Sequence, residues 1–195
     1  YFDGTWSFGT AKLVNNFNKF FLHIPLTKEI NDFSFSDCSR VVGVDLGINF
    51  LATTYDSDNK SLFFNGKHIK DKRAQFSKVR KELQQVKTPS SRKRLKAIGS
   101  RENRFVTDVN HQVTKALIEK YGSNTLFVLE DLTGVRNSTE KVRKNNRYIS
   151  VSWAFYQFRQ MLEYKANLVG SKVIFVDPKY TSQTCPKCGK IKKSN

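Results

Sequence analysis

The chain has 195 residues, with 34 Lys and Arg against 17 Asp and Glu, a formal net charge of +17 and a pI near 9.9. With 38% hydrophobic and 13% aromatic residues, 16 of them Phe, it can bury one sizeable core, so disorder and low complexity are poor descriptions. No apolar run approaches the roughly 18 residues of a membrane span and no signal-peptide layout opens the sequence, so a soluble intracellular protein is expected. The charge points to a polyanionic partner, above all nucleic acid.

The basic excess is uneven. Residues 1–59 hold four basic and seven acidic side chains, whereas residues 60–104 hold 15 basic and three acidic ones. Residues 136–147 and 165–195 carry two further basic blocks. The sequence begins at Tyr1 rather than Met and stops seven residues after Cys188, so a piece of a longer protein is expected.

Taken in chain order, Leu13-Val14 and Phe20 to Pro25 read as a strand pair turning at Asn15-Asn16, followed by a polar linker from Lys28 to Ser39. Val41 to Leu46 is a nearly all-apolar strand, the pattern of a strand buried on both faces. Phe50 to Tyr55 and Ser61 to Phe64 follow across the turn-rich Asp56 to Asn59 and predict antiparallel neighbours. Apolar residues at helical spacing, Phe76, Val79 and Leu83, then Phe105, Val109, Val113 and Leu117, predict helices over His68–Val86 and Ser90–Tyr121. Pro89 separates them, with Ser90 or Ser91 as the expected cap. Leu126 to Glu130 is a further buried strand, and a basic loop leads to a helix over Ser152–Val169 and a strand over Val173–Val176. The order β-β-β-α-β-α-β predicts an α/β domain with a mixed sheet.

Two carboxylates lie at the ends of strands that are otherwise apolar, Asp45 and Glu130. A carboxylate in a central strand loses hydration unless a cation compensates, and two from neighbouring strands would hold hard divalent cations. Paired Mg²⁺ ions about 3.5–4 Å apart activate water and stabilise the leaving oxygen at a phosphodiester. The alternative is that both cap strand-end turns. Gly43 and Gly47, which permit close backbone approach, favour the metal.

Cys185-Pro186-Lys187-Cys188-Gly189 places two thiolates on a tight knuckle and reads as half of a four-Cys zinc site, against the competing readings of a redox C-x-x-C, which would open a helix after a strand, and an accidental pair. The remaining cysteine, Cys38, reads as a small hydrophobe. Lys78, Arg80, Lys81, Arg92, Lys93, Arg94, Arg101 and Arg104 form basic helix faces suited to tracking a phosphate backbone. Arg136, Arg143, Lys144 and Arg147 follow Glu130 in a loop and would set positive charge beside the metals. Trp153, Phe155, Tyr156 and Phe158 are either base-stacking residues or core.

Gly43-Val44-Asp45-Leu46-Gly47-Ile48-Asn49, Leu51-Ala52-Thr53, Val128-Leu129-Glu130-Asp131-Leu132 and Tyr180 to Gly189 resemble, in order, the C-terminal nuclease region of the transposon-encoded TnpB (OrfB) proteins. Those proteins are similar to the type V CRISPR effectors. The resemblance runs from about Lys19 to the last residue. It implies an RNase H-like (RuvC-type) mixed sheet flanked by helices, cutting DNA with Mg²⁺ under a guide RNA in the prokaryotic cytoplasm, at the nucleoid. Residues 1–39 would end a β-rich RNA-contacting domain and its linker, residues 40–179 would be the RuvC-like domain, and residues 180–195 the first half of a zinc ribbon. By the same resemblance Asp45 and Glu130 would be Mg²⁺ ligands, and Cys185 and Cys188 the first zinc pair.

The family pattern continues with a second Cys pair and a third catalytic aspartate, and this chain contains neither. Asp108, Asp131 and Asp177 do not match that position, and Asp177, before Pro178, reads as a strand-end turn. The expectation is a nuclease segment that does not cleave DNA by itself. The other readings are a transposase performing strand transfer and a catalytically inactive nucleic-acid-binding relic or regulator.

Overall fold

Strand propensity in the first residues builds two small antiparallel ladders. β1 (Ser7–Phe8) pairs with β4 (Leu26–Thr27), and β2 (Lys12–Asn16) pairs with β3 (Lys19–His23). Asn15 and Asn16 lie inside β2 rather than at its turn, because Asn16 pairs with Lys19 and it is Asn18 that adopts the left-handed φ of 60°. The computed structural model describes residues 2–16, 18–30, 33–47, 49–132, 154–179, 183–185 and 188–191. The chain divides into two compact units, Tyr1–Asp32 with these ladders and Phe33–Asn195.

The second unit opens with a 3₁₀ turn (Phe35–Asp37) and continues β5 (Arg40–Asp45), β6 (Phe50–Asp56), β7 (Ser61–Asn65), α1 (Lys67–Val86), α2 (Pro89–Tyr121), β8 (Thr125–Glu130), α3 (Phe155–Leu168) and β9 (Lys172–Val176). The five strands form one sheet in the order β7-β6-β5-β8-β9. β6 runs antiparallel to β5 and to β7, whereas β8 is parallel to β5 and β9 to β8. The mixed sheet expected from the hydrophobic pattern is therefore present.

One face of the sheet holds the core. Val42 and Val44 of β5 and Phe127 and Leu129 of β8 pack with Val109, Val113 and Leu117 of α2 and with Phe158 and Leu162 of α3. The helical spacing of three and four aims these α2 side chains at the strands. The other face is exposed along β5 and half-buried along β8. Val41, Tyr55 and Phe63 are 43%, 56% and 56% exposed, so β5 is buried on one face and not on two. An apolar run cannot reveal which face of its strand another element will cover.

The two long helices meet through a tight connection. Lys87 takes a left-handed φ of 56° after α1, and the Thr88 side chain accepts from the Ser91 backbone N–H (3.2 Å). Thr88 is thus the cap in place of Ser90 or Ser91, because Pro89 sits in the first turn, where its missing N–H costs nothing. Between the helices Glu102, 5% exposed, is held by Arg73 (3.5 Å), itself 3% exposed, and by Arg80. Lys165 ties α3 to α2, donating to the His111 carbonyl and to Thr114 Oγ1 (both 2.8 Å). Burial, followed by the like charge of Lys115, holds the Lys165 ammonium pKa below the ordinary lysine value.

Candidate metal and nucleic-acid site

The last register pairs between β5 and β8 are Val42↔Phe127, Gly43↔Val128 and Val44↔Leu129. Asp45 and Glu130 are the next residues on the two strands, so they stand side by side where both strands end, on neighbours about 4.8 Å apart. In-register residues of neighbouring strands point to the same face, and Val44 and Leu129 point to the core. Asp45 and Glu130 therefore share the open face. This is the carboxyl end of parallel strands, where open α/β sheets place their ligands. Asp45 is exposed and Glu130 half-buried. The desolvation expected of Asp45 is absent, because the face it shares with Val41 stays open.

The local backbone suits the arrangement. A Cβ on Gly47 would lie 3.0 Å from the Phe50 carbonyl, a contact tight enough that the turn leaving β5 favours glycine. A Cβ on Gly43 would meet only the Tyr55 carbonyl at 3.7 Å, an ordinary contact. Asn49 follows, its carbonyl accepting from Gly66 N–H (2.8 Å) and its side chain from Lys70 (3.4 Å), which fastens the loop to the start of α1.

Beside Glu130 a small cleft is lined by Leu46, Leu132, Phe155, Tyr156, Arg159 and Phe175. Arg159, which sequence reasoning missed, donates to Asp131 Oδ1 (3.2 Å) with its guanidinium 3.3 Å over the Phe175 ring. The Asp131 N–H donates to Val176 (2.8 Å), so Asp131 is engaged in holding β8 to β9. Asp177 accepts from the Lys179 N–H (3.0 Å) as a strand-end turn, as its place before Pro178 suggests. Among the described residues, no group of three His, Cys, Asp or Glu side chains gathers as a metal site.

The described residues flanking the cysteine knuckle close as a turn. Gly189, at a φ of 68°, donates to the Cys185 carbonyl, Cys185 N–H donates to Lys190 (both 2.9 Å), and Thr184 bridges to Ile191. Two thiolates on such a turn fit half of a tetrahedral zinc site. Cys38 precedes β5 and its thiol donates to the Arg40 carbonyl (3.3 Å).

Of the basic residues, Lys78, Lys81, Arg92, Lys93, Arg94, Arg101 and Arg104 are exposed on α1 and α2, whereas Arg80 is engaged by Glu102. Arg136, Arg143, Lys144, Arg147 and Trp153 lie outside the described residues. Phe158 is wholly buried and Phe155 packs on the core, which leaves Tyr156, 65% exposed, open to a ligand among the described members of that group.

Residues 36–141 match the family model OrfB_IS605, described as a probable transposase, over more than half of the chain. The chain belongs to this OrfB (TnpB) family. Residues 155–195 match a second model, the Cas12f1-like TNB domain. Among curated relatives of this OrfB-family chain, the TnpB-like protein MJ0751 of Methanocaldococcus jannaschii is 31% identical over 175 residues, covering 85% of this chain and 62% of its own length. The CRISPR-associated endodeoxyribonuclease Cas12f2 of a Micrarchaeota archaeon is 29% identical over 187 residues, covering 90% of this chain and 34% of its own. A cryo-EM structure of a Cas12f1–sgRNA–target DNA complex superposes with a TM-score of 0.60 at 16% identity, covering 93% of this chain and 45% of that one. The OrfB-family chain thus shares its α/β fold with Cas12f1 and spans from about a third to under two thirds of these relatives' lengths. No described helix is long and apolar enough to cross a membrane.

Proposed function

We propose that this chain is the RuvC-like, RNase H-type nuclease segment of a transposon-associated, RNA-guided DNA endonuclease. The observation that carries the reading is the adjacency of Asp45 and Glu130 at the ends of parallel β5 and β8. Two carboxylates on one open face are oxygen donors of the kind Mg²⁺ takes, and they fit it. Divalent metal at such a site supplies water activation and charge stabilisation at a scissile phosphodiester. The chain's own part is to hold the two carboxylates at a fixed separation on rigid strands. The turn at Gly47 closes behind Asp45, and the Arg159–Asp131 pair holds the end of β8 beside Glu130. The OrfB match, the endodeoxyribonuclease relatives and the likeness to Cas12f1 support DNA and a guide RNA as partners. Cys185 and Cys188 would donate two thiolates to a zinc ion whose remaining ligands come from elsewhere. A cytoplasmic location at the nucleoid agrees with a net charge of +17.

Two carboxylates hold a metal less firmly than three. The purified 195-residue chain is therefore expected to bind nucleic acid but to leave supercoiled DNA unnicked in Mg²⁺ or Mn²⁺. Nicking that disappears in Asp45→Ala would overturn this expectation of inactivity. Electron paramagnetic resonance of added Mn²⁺ tests the site directly. Bound Mn²⁺ should fall in both Asp45→Ala and Glu130→Gln, and equal binding by all three proteins would remove the metal site.

A further inference from the structure

On one flank of the α1–α2 hairpin the two helices enclose a groove of about 330 Å³, within the roughly 300–1,000 Å³ typical of ligand pockets. Its floor is apolar, made by Phe76 and Val79 of α1 and Ile98 of α2, and its rim carries Lys72, Arg94 and Arg101, with no acidic residue in the lining. No ion pair among the described residues engages these three cations. The contrast with the opposite flank is informative. There Glu102 engages both Arg73 and Arg80 and offsets one of their two charges, whereas the three cations of this side face no carboxylate in the lining.

We propose that this groove takes a nucleotide of a single-stranded nucleic acid, the base against the apolar floor and the flanking phosphates on the rim. The chemistry selects the occupant. A rim of one sign calls for a polyanion, and an apolar floor adds nothing to duplex backbone binding, which needs charge alone. A single strand presents both parts, because an unstacked base offers an apolar face between two phosphates. Residues 60–104, which contain both groove walls up to Arg101, hold 15 of the basic side chains. The inference rests on reading the chain as a nucleic-acid-handling protein but does not depend on the Asp45–Glu130 metal site.

Fluorescence anisotropy of the 195-residue chain with a labelled pyrimidine 12-mer, against the same strand carrying abasic positions, tests it in an RNA and a DNA arm. The strand bearing bases is expected to bind about 5-fold tighter or more, the gain of stacking one base. Ala97→Trp, at the groove's exposed edge, plugs it without changing charge and should erase that difference while leaving the abasic strand unaffected. Val79→Trp, which fills the floor from the other helix, should also erase the difference and guards against misfolding of the first variant. Arg94→Ala with Arg101→Ala should weaken both strands and flatten the salt dependence. The arm with the larger base preference identifies RNA or DNA as the occupant. Equal affinity of the wild-type chain for base-bearing and abasic strands, or a base preference that survives in folded plugged variants, overturns the groove and leaves general nucleic-acid binding standing. Failure to bind either strand overturns both.

Discussion

In a full-length protein carrying this segment and loaded with guide RNA, Asp45→Ala or Glu130→Gln is expected to lower DNA cleavage by about 1,000-fold or more, with guide-RNA affinity unchanged within about twofold. The size follows from the several kcal/mol of charge stabilisation that a metal contributes at a phosphodiester, at about 1.4 kcal/mol for each tenfold in rate. Glu130→Gln keeps the shape and hydrogen-bonding reach of the side chain and removes its charge, so the effect reports ligation and not folding. Single-turnover cleavage beside filter binding of the RNA measures both quantities. Cleavage within tenfold of wild type in either variant would show that the strand-end pair caps turns and holds no metal. The two variants together should cost little more than one, because residues acting as a unit are not additive.

Glu102→Ala is expected to destabilise the protein by about 3–5 kcal/mol, the cost of removing one partner from a buried ion pair. For a chain of this size that corresponds to a melting temperature lower by about 6–20 °C. Arg73, 3% exposed, would keep its charge in the interior after losing the Glu102 carboxylate. Arg80 is more open to solvent, so its share of the pairing is smaller. Replacing both buried members, Arg73→Met with Glu102→Leu, should recover much of the loss, because no uncompensated charge remains. Differential scanning calorimetry on the three proteins decides it. A shift below about 2 °C for Glu102→Ala would mean that the triad contributes little to holding α1 on α2.

Much of the second unit was legible because its signals are local. Apolar runs mark β5 and β8, spacings of three and four mark α2, and Pro89 marks the junction between the long helices. Asp45 and Glu130 stood out for the same reason, as acids ending apolar runs. Their adjacency was not local. It depends on β8 joining β5 in parallel after a helical hairpin, a pairing between residues 85 apart in the chain such as Val44 and Leu129. Arg80 and Lys78 read alike in sequence, as cations of one basic block. Packing separates them, because Arg80 faces Glu102 across the hairpin whereas Lys78 points to water. Arg73 and Arg159 were missed because nothing in their neighbours along the chain marks an arginine as structural.

The sequence by itself determined the chemistry available to this protein: its basic blocks, the two strand-end carboxylates, the cysteine knuckle and the family motifs that link them. These depend on residue type and short spacing, which survive without a fold. Tertiary structure alone decided which sheet face stays open around Asp45, which arginines Glu102 engages, and which flank of the hairpin keeps unpaired charge over an apolar floor. Those are properties of surfaces that meet across long stretches of chain. Charge counted along the sequence becomes a binding surface only after folding has neutralised part of it from within.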